Sequence, residues 1–153
     1  MKLKVGLIFF LLFSTSATSE EMQSLDRVLN DQHEETYPFV RCAGFFLSNI
    51  QWAGQAIDEA SFKKGREAIS ALMLVATVLR SRTSGGDLAE LAKFVDADTT
   101  TIAKLYIENY RKSYGATGKA WEGNPLWNSD SETCTPIAQA ALTATVEPNS
   151  GGN

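Results

Sequence analysis

Apolar residues recur at steps of three and four through most of the chain, and this pattern predicts helices throughout. Met22, Leu25, Val28 and Leu29 open the series behind Glu20 and Glu21, whose charge suits the positive end of a helix. A short amphipathic helix is expected over residues 21–33. Thr36 or Tyr37 can cap a second helix, with Pro38 in its first turn where the missing N–H is harmless. Phe39, Cys42, Ala43, Phe46, Ile50, Ala53 and Ile57 follow in helical phase, and Phe45 and Trp52 widen the apolar face. A third helix is expected over residues 62–81, capped by Asp58 or Ser61. It is apolar nearly all round over residues 68–79, as a central, buried helix would be. Val75, Thr77 and Val78 are β-branched, but the run is too long and too rich in leucine and alanine for a buried strand.

Gly85-Gly86 ends that segment and Asp87 can cap the next. Leu88, Leu91, Val95, Ile102, Leu105 and Tyr106 keep helical phase across Asp96-Ala97-Asp98-Thr99-Thr100-Thr101. Asp and Thr prefer caps to helix interiors, so a break or kink is expected there. Gly115, Gly118 and Gly123 mark a loop carrying Trp121, Pro125 and Trp127. A last helix is expected over residues 130–145, with Pro136 in its first turn or bending it. The fold class predicted is all-α: a small bundle of about five helices.

The first residues follow a different pattern. Lys2 and Lys4 precede a continuous apolar run over residues 5–13, and small polar residues follow. Charged, apolar and small segments in that order form a secretory signal peptide. Ala17 and Ser19 suit cleavage before Glu20; Thr15 and Ala17 suit cleavage before Thr18. The run falls well short of the roughly 20 apolar residues that span a bilayer. The expected organisation is a signal peptide over residues 1–19, one helical domain over 20–146 and a polar tail over 147–153. The expected location is the periplasm or the extracellular space, with no membrane span in the mature protein.

Charge narrows the choice of partner. The chain has 14 Lys and Arg against 18 Asp and Glu; without Lys2 and Lys4 the balance is 12 to 18, a net charge of −6. Nucleic acid binding needs clustered cations, and the one cluster, Lys63-Lys64-Gly65-Arg66, points several ways around a helix. Nucleic acid is therefore not expected as a partner. The expected partner is a protein or a small-molecule ligand.

Cys42 and Cys134 are the only cysteines, so export leaves one possible intramolecular disulfide, between the second and last helices. The single histidine, His33, excludes histidine-based triads and multi-histidine zinc sites. Asp96-x-Asp98-x-Thr100 starts like a calcium loop, but Thr101 and Ile107 stand where glycine and glutamate are needed. No metal and no cofactor is expected.

The candidate binding residues are aromatic, with one arginine. Tyr106, Tyr110 and Tyr114 share a helix face and can either line a groove or pack inward. Trp121 and Trp127 can form a recognition surface or a lid over the core, and the lid is the favoured reading. Reduction of the disulfide is then expected to free that loop before the bundle melts. Arg41, beside Cys42, can pair with Asp130 or Glu132, or bind an anion. No nucleophile–base spacing identifies a catalytic residue. A non-catalytic binding or interaction protein is therefore the leading expectation. The alternatives are a small enzyme using carboxylates drawn from Asp96, Asp98, Asp130 and Glu132, and a secreted helical chaperone or inhibitor acting through apolar surface.

Overall fold

Tyr37-Pro38 begins the helix around which the others assemble. In the computed structural model, which describes residues 22–31 and 34–146, five helices and no strand are present among the described residues. They are α1 (Leu25–Val28), α2 (Tyr37–Ala53), α3 (Glu59–Ser84), α4 (Leu88–Thr117) and α5 (Pro125–Val146), with a 3₁₀ turn at Gly54–Ala56. Helix α2 packs against α3, α4 and α5, while α1 rests on α5. The main core gathers Leu25, Cys42, Phe45, Leu72, Tyr106, Tyr110, Leu126 and Cys134. The expected signal peptide, the tail from residue 147 and His33 lie outside the described residues.

The caps follow local chemistry. Asp58 accepts from the Ser61 N–H at the start of α3, and Asp87 from Ala89 and Glu90 at the start of α4. Gly118 closes α4 in the left-handed conformation, its N–H bonded to the Tyr114 carbonyl. Asn124 Oδ1 accepts from Leu126 and Trp127, so α5 starts at Pro125, earlier than the expected residue 130. Trp127 is thus helical. Pro136 stands inside α5 on its exposed side, so the carbonyl it frees faces solvent rather than the core.

Three expectations are corrected. Of the helix expected over residues 21–33, the described part forms a single turn at Leu25–Val28: tertiary partners take the backbone groups ahead of it, and behind it the N–H groups of Asn30 and Asp31 turn back to the Arg27 and Val28 carbonyls. Leu25 N–H donates to Asp130 and the Gln23 carbonyl accepts from Arg41. The break expected at residues 96–101 is absent, and α4 runs unbroken. Val95, Thr99 and Ala103 are buried, Thr101 Oγ1 donates to the Ala97 carbonyl at 2.9 Å, and Asp98 engages Arg80 at 3.0 Å. Burial on one face outweighs a propensity difference of a few tenths of a kcal/mol per residue. Finally, α2 rather than α3 is central, and Leu74 in the middle of α3 is 52 % exposed.

Helices α2 and α4 meet closely at Gly44. A Cβ there would stand 2.5 Å from Ile102 Cγ2 and 3.1 Å from the Thr99 carbonyl. Gly44→Ala should gain about 0.5–1 kcal/mol in helix propensity and lose about 1–3 kcal/mol by overpacking. A net destabilisation is expected in urea denaturation; a more stable variant would mean that the α2–α4 crossing relaxes.

The disulfide joins Cys42 to Cys134, with Cα atoms 5.2 Å apart, and ties the middle of α2 to the middle of α5. Both residues are fully buried.

Candidate functional site

Arg41 immediately precedes Cys42 on α2, and Asp130 lies one turn before Cys134 on α5. The disulfide therefore holds these two charges opposite each other. Arg41 Nη2 lies 2.6 Å from Asp130 Oδ2, and Nε lies 3.2 Å from the same oxygen. The side chains are 2 % and 0 % exposed. Tyr106 from α4 donates its hydroxyl to that oxygen, accepts from Arg41 Nε at 2.6 Å, and sets its ring under the guanidinium at 4.9 Å. Arg41 also donates to Tyr37 Oη at 3.1 Å and to the Gln23 carbonyl at 2.7 Å. Asp130 Oδ1 accepts the Leu25 N–H at 2.6 Å. Taking two ions out of water costs several kcal/mol each unless such partners replace the lost hydration. Here all three guanidinium nitrogens and both carboxylate oxygens are engaged within the protein. The cluster is equipped to join α2, α4, α5 and the N-terminal segment.

Burial pushes the Tyr106 hydroxyl well above its usual value of 10.0; Asp130 adds to this and Arg41 opposes it. Burial also raises Tyr110, opposed by its hydrogen bond with Ser48. Both tyrosines stay neutral in the fold while the unfolded chain ionises near pH 10. Their contribution is fully present below that pH and is lost as pH rises. Stability should fall above pH 10 by up to about 1.4 kcal/mol per pH unit for each tyrosine. Tyr106→Phe should remove about half a proton from the mean slope in urea titrations between pH 9 and 11, approaching one at the upper end; an unchanged slope would contradict the assignment.

The other aromatic residues extend from this cluster toward the surface. Tyr110 donates to Asn49 Oδ1 at 2.8 Å, and the Trp127 indole N–H reaches the same oxygen at 3.1 Å. Trp121 stacks on Trp127 with ring centres 6.1 Å apart, and meets Tyr110 edge-on at 6.3 Å. Trp52 joins Tyr110 to Tyr114, which is 56 % exposed. The sequence candidates are therefore brought together, but Arg41, Tyr106 and Tyr110 face the interior. Trp121 and Trp127 are partly buried against Tyr110 and Phe45, and Tyr114 alone of the set is mostly exposed.

The four candidate carboxylates do not converge. Asp130 is internal; Asp96 and Asp98 are exposed on α4, and Glu132 is exposed on α5. Arg80 holds Asp98 at 3.0 Å and Glu34 at 3.6 Å. A polar cleft of about 520 Å³ lies between the N-terminal segment and the start of α5. Its side chains largely pair with one another: Ser129 donates to Asp26, and Asn124 to Asn109, each at 2.7 Å.

A different surface lies between α3 and α5. Two adjoining depressions, about 650 and 390 Å³, share Leu74 and Thr145. Ala71, Val75, Val78, Leu79 and Leu142 supply most of the remaining apolar lining, and charged side chains stand at the ends, Arg66 beside Glu67 at one and Arg82 at the other. Neither arginine has a hydrogen-bond or ion-pair partner among the described residues. On the α5 side, residues 133–146 include no charged residue. Sequence reasoning missed this groove. Its signal was the all-round apolar character of α3, more than one core-facing stripe requires, together with that uncharged stretch. Comparison of the chain with family models, curated proteins and solved structures finds no match.

Proposed function

We propose that this is an exported helical protein that acts by non-catalytic binding through the α3–α5 groove. The observation that carries the reading is Leu74, half exposed at the middle of an apolar trough whose α5 wall lacks charge. Protein surfaces normally intersperse charges. Their depletion around an exposed apolar centre is the composition of an interface core. The charge-bearing residues of the interior support the same reading, since Arg41, Asp130 and Tyr106 use their polar atoms on one another. Export is supported by the charged–apolar–small order of residues 1–19 and by the disulfide, which suits an oxidising compartment.

The test uses protein purified from secreting cells with a photo-crosslinking amino acid at position 74. Returned to its native periplasmic or extracellular fraction, it should form an adduct of discrete mass. The same crosslinker at Lys104, exposed on α4, should not. Equal labelling from both positions, or none from position 74, would refute the groove.

A further inference from the structure

We infer that the α3–α5 groove receives an amphipathic helix of a partner protein, with carboxylates at both ends of its apolar stripe. The inference rests on the binding role proposed above and names the occupant. Its first support is charge. The chain is acidic overall, yet α3 carries Lys63, Lys64, Arg66, Arg80 and Arg82 against Glu59 and Glu67. Arg80 is committed to Glu34 and Asp98, and Lys63 lies 3.9 Å from Glu67. Arg66 and Arg82 remain unpaired at the ends of the trough. They are sixteen residues apart on one continuous helix, a span of about 24 Å.

The second support is shape. An apolar trough between two helices, with Leu74 shared by its two halves and midway in sequence between the arginines, accepts a third helix laid along it. Apolar residues at steps of three and four would fill the channel, and acidic residues four to five turns apart would meet the two guanidiniums. A second copy of this chain fits less well. Pairing α3 with itself in antiparallel fashion about Leu74 sets Arg66 opposite Arg82 at both ends, and the neighbouring Glu67, 3.9 Å from Lys63, offsets only part of that repulsion. The chain's own residues 147–153 follow directly from α5, but Pro148 is the only apolar side chain among them, and they cannot cover the trough.

The experiment measures fluorescence anisotropy of two lactam-stapled amphipathic peptides against the secreted protein. The peptides share one leucine stripe and differ only in carrying glutamate or lysine at both ends. The glutamate peptide should bind roughly tenfold more tightly at low salt, and the advantage should shrink as salt rises. Arg66→Glu/Arg82→Glu should invert the preference, and Leu74→Asp should abolish binding of both peptides. These positions are on the surface, and unchanged circular dichroism would show that the variants fold.

Equal binding of the two peptides, lost in Leu74→Asp, would overturn the acidic partner and leave the binding role intact. Failure of both peptides while position 74 still crosslinks would also overturn this inference alone. Failure of both peptides together with loss of crosslinking would overturn both readings. A concentration-dependent dimer abolished by Leu74→Asp would assign the groove to a second copy and overturn the partner helix.

Discussion

Replacing Asp130 with alanine should remove about 3–5 kcal/mol of folding stability, the penalty for leaving one partner of a buried ion pair uncompensated. The variant would leave the Arg41 guanidinium at 2 % exposure without its counter-charge. It would also orphan the Leu25 N–H and the Tyr106 hydroxyl. Native stabilities are about 5–15 kcal/mol, so the loss is a large fraction of the whole. The double variant Arg41→Met/Asp130→Leu should regain part of it, because replacing both charges with apolar side chains removes the desolvation penalty together with the attraction. Recovery should stop short of wild type, since the Gln23 carbonyl and Leu25 N–H still lose their partners. Chemical denaturation of the wild type, Arg41→Met, Asp130→Leu and the double variant gives the coupling energy directly. A loss below about 1 kcal/mol in Asp130→Ala is the range of exposed pairs, and would show that water reaches the cluster.

Removing the disulfide should have a similarly large effect. Cys42 and Cys134 are 92 residues apart in sequence, and closing a loop of that length is worth roughly 4–5 kcal/mol in the chain-entropy model. The bridge also aligns Arg41 with Asp130 one turn away. Cys42→Ala/Cys134→Ala and Asp130→Ala should therefore combine non-additively, each weakening the same α2–α5 junction. The unfolding transition should be single. Trp127 belongs to α5, shares Asn49 of α2 with Tyr110, and packs on Phe45. Tryptophan fluorescence and helical circular dichroism should thus change together when the reduced protein is denatured. This replaces the expectation of an early-released loop, which assumed that Trp127 lay outside the helix. A fluorescence red shift well ahead of the loss of helix would restore the separate lid.

Much of the candidate chemistry was visible in the sequence as residue types but not as roles. Arg41 stood out because it adjoins Cys42 and is surrounded by aromatic residues, and Asp130 was one of two partners that the disulfide could bring near. Choosing between Asp130 and Glu132 required the helical phase of α5. Asp130 and Cys134 are four residues apart and share a face, whereas Glu132 points to solvent. The tyrosine row was legible as a face, yet its burial depends on depth along the bundle. Tyr106 and Tyr110 are fully buried, while Tyr114, one turn further on, is mostly exposed. The α3–α5 groove was not read at all. An apolar helix surface is consistent with a core face or an open one until its neighbours are placed.

By itself the sequence determined what depends on short range. Steps of three and four established the helices, Asp58 and Asp87 could be read as caps, and two cysteines admitted one intramolecular bridge. Tertiary structure decided every point at which local preferences nearly cancel. The Asp/Thr segment of α4 stays helical because Val95, Thr99 and Ala103 are buried. The first helix starts only at Leu25 because Arg41 and Asp130, distant in sequence, take the backbone groups of Gln23 and Leu25. Helix α2 became the centre, leaving Leu74 on the surface. The physical reason is range. Periodicity reports which side of a helix is apolar through contacts four residues apart, whereas what covers that side depends on contacts between distant parts of the chain.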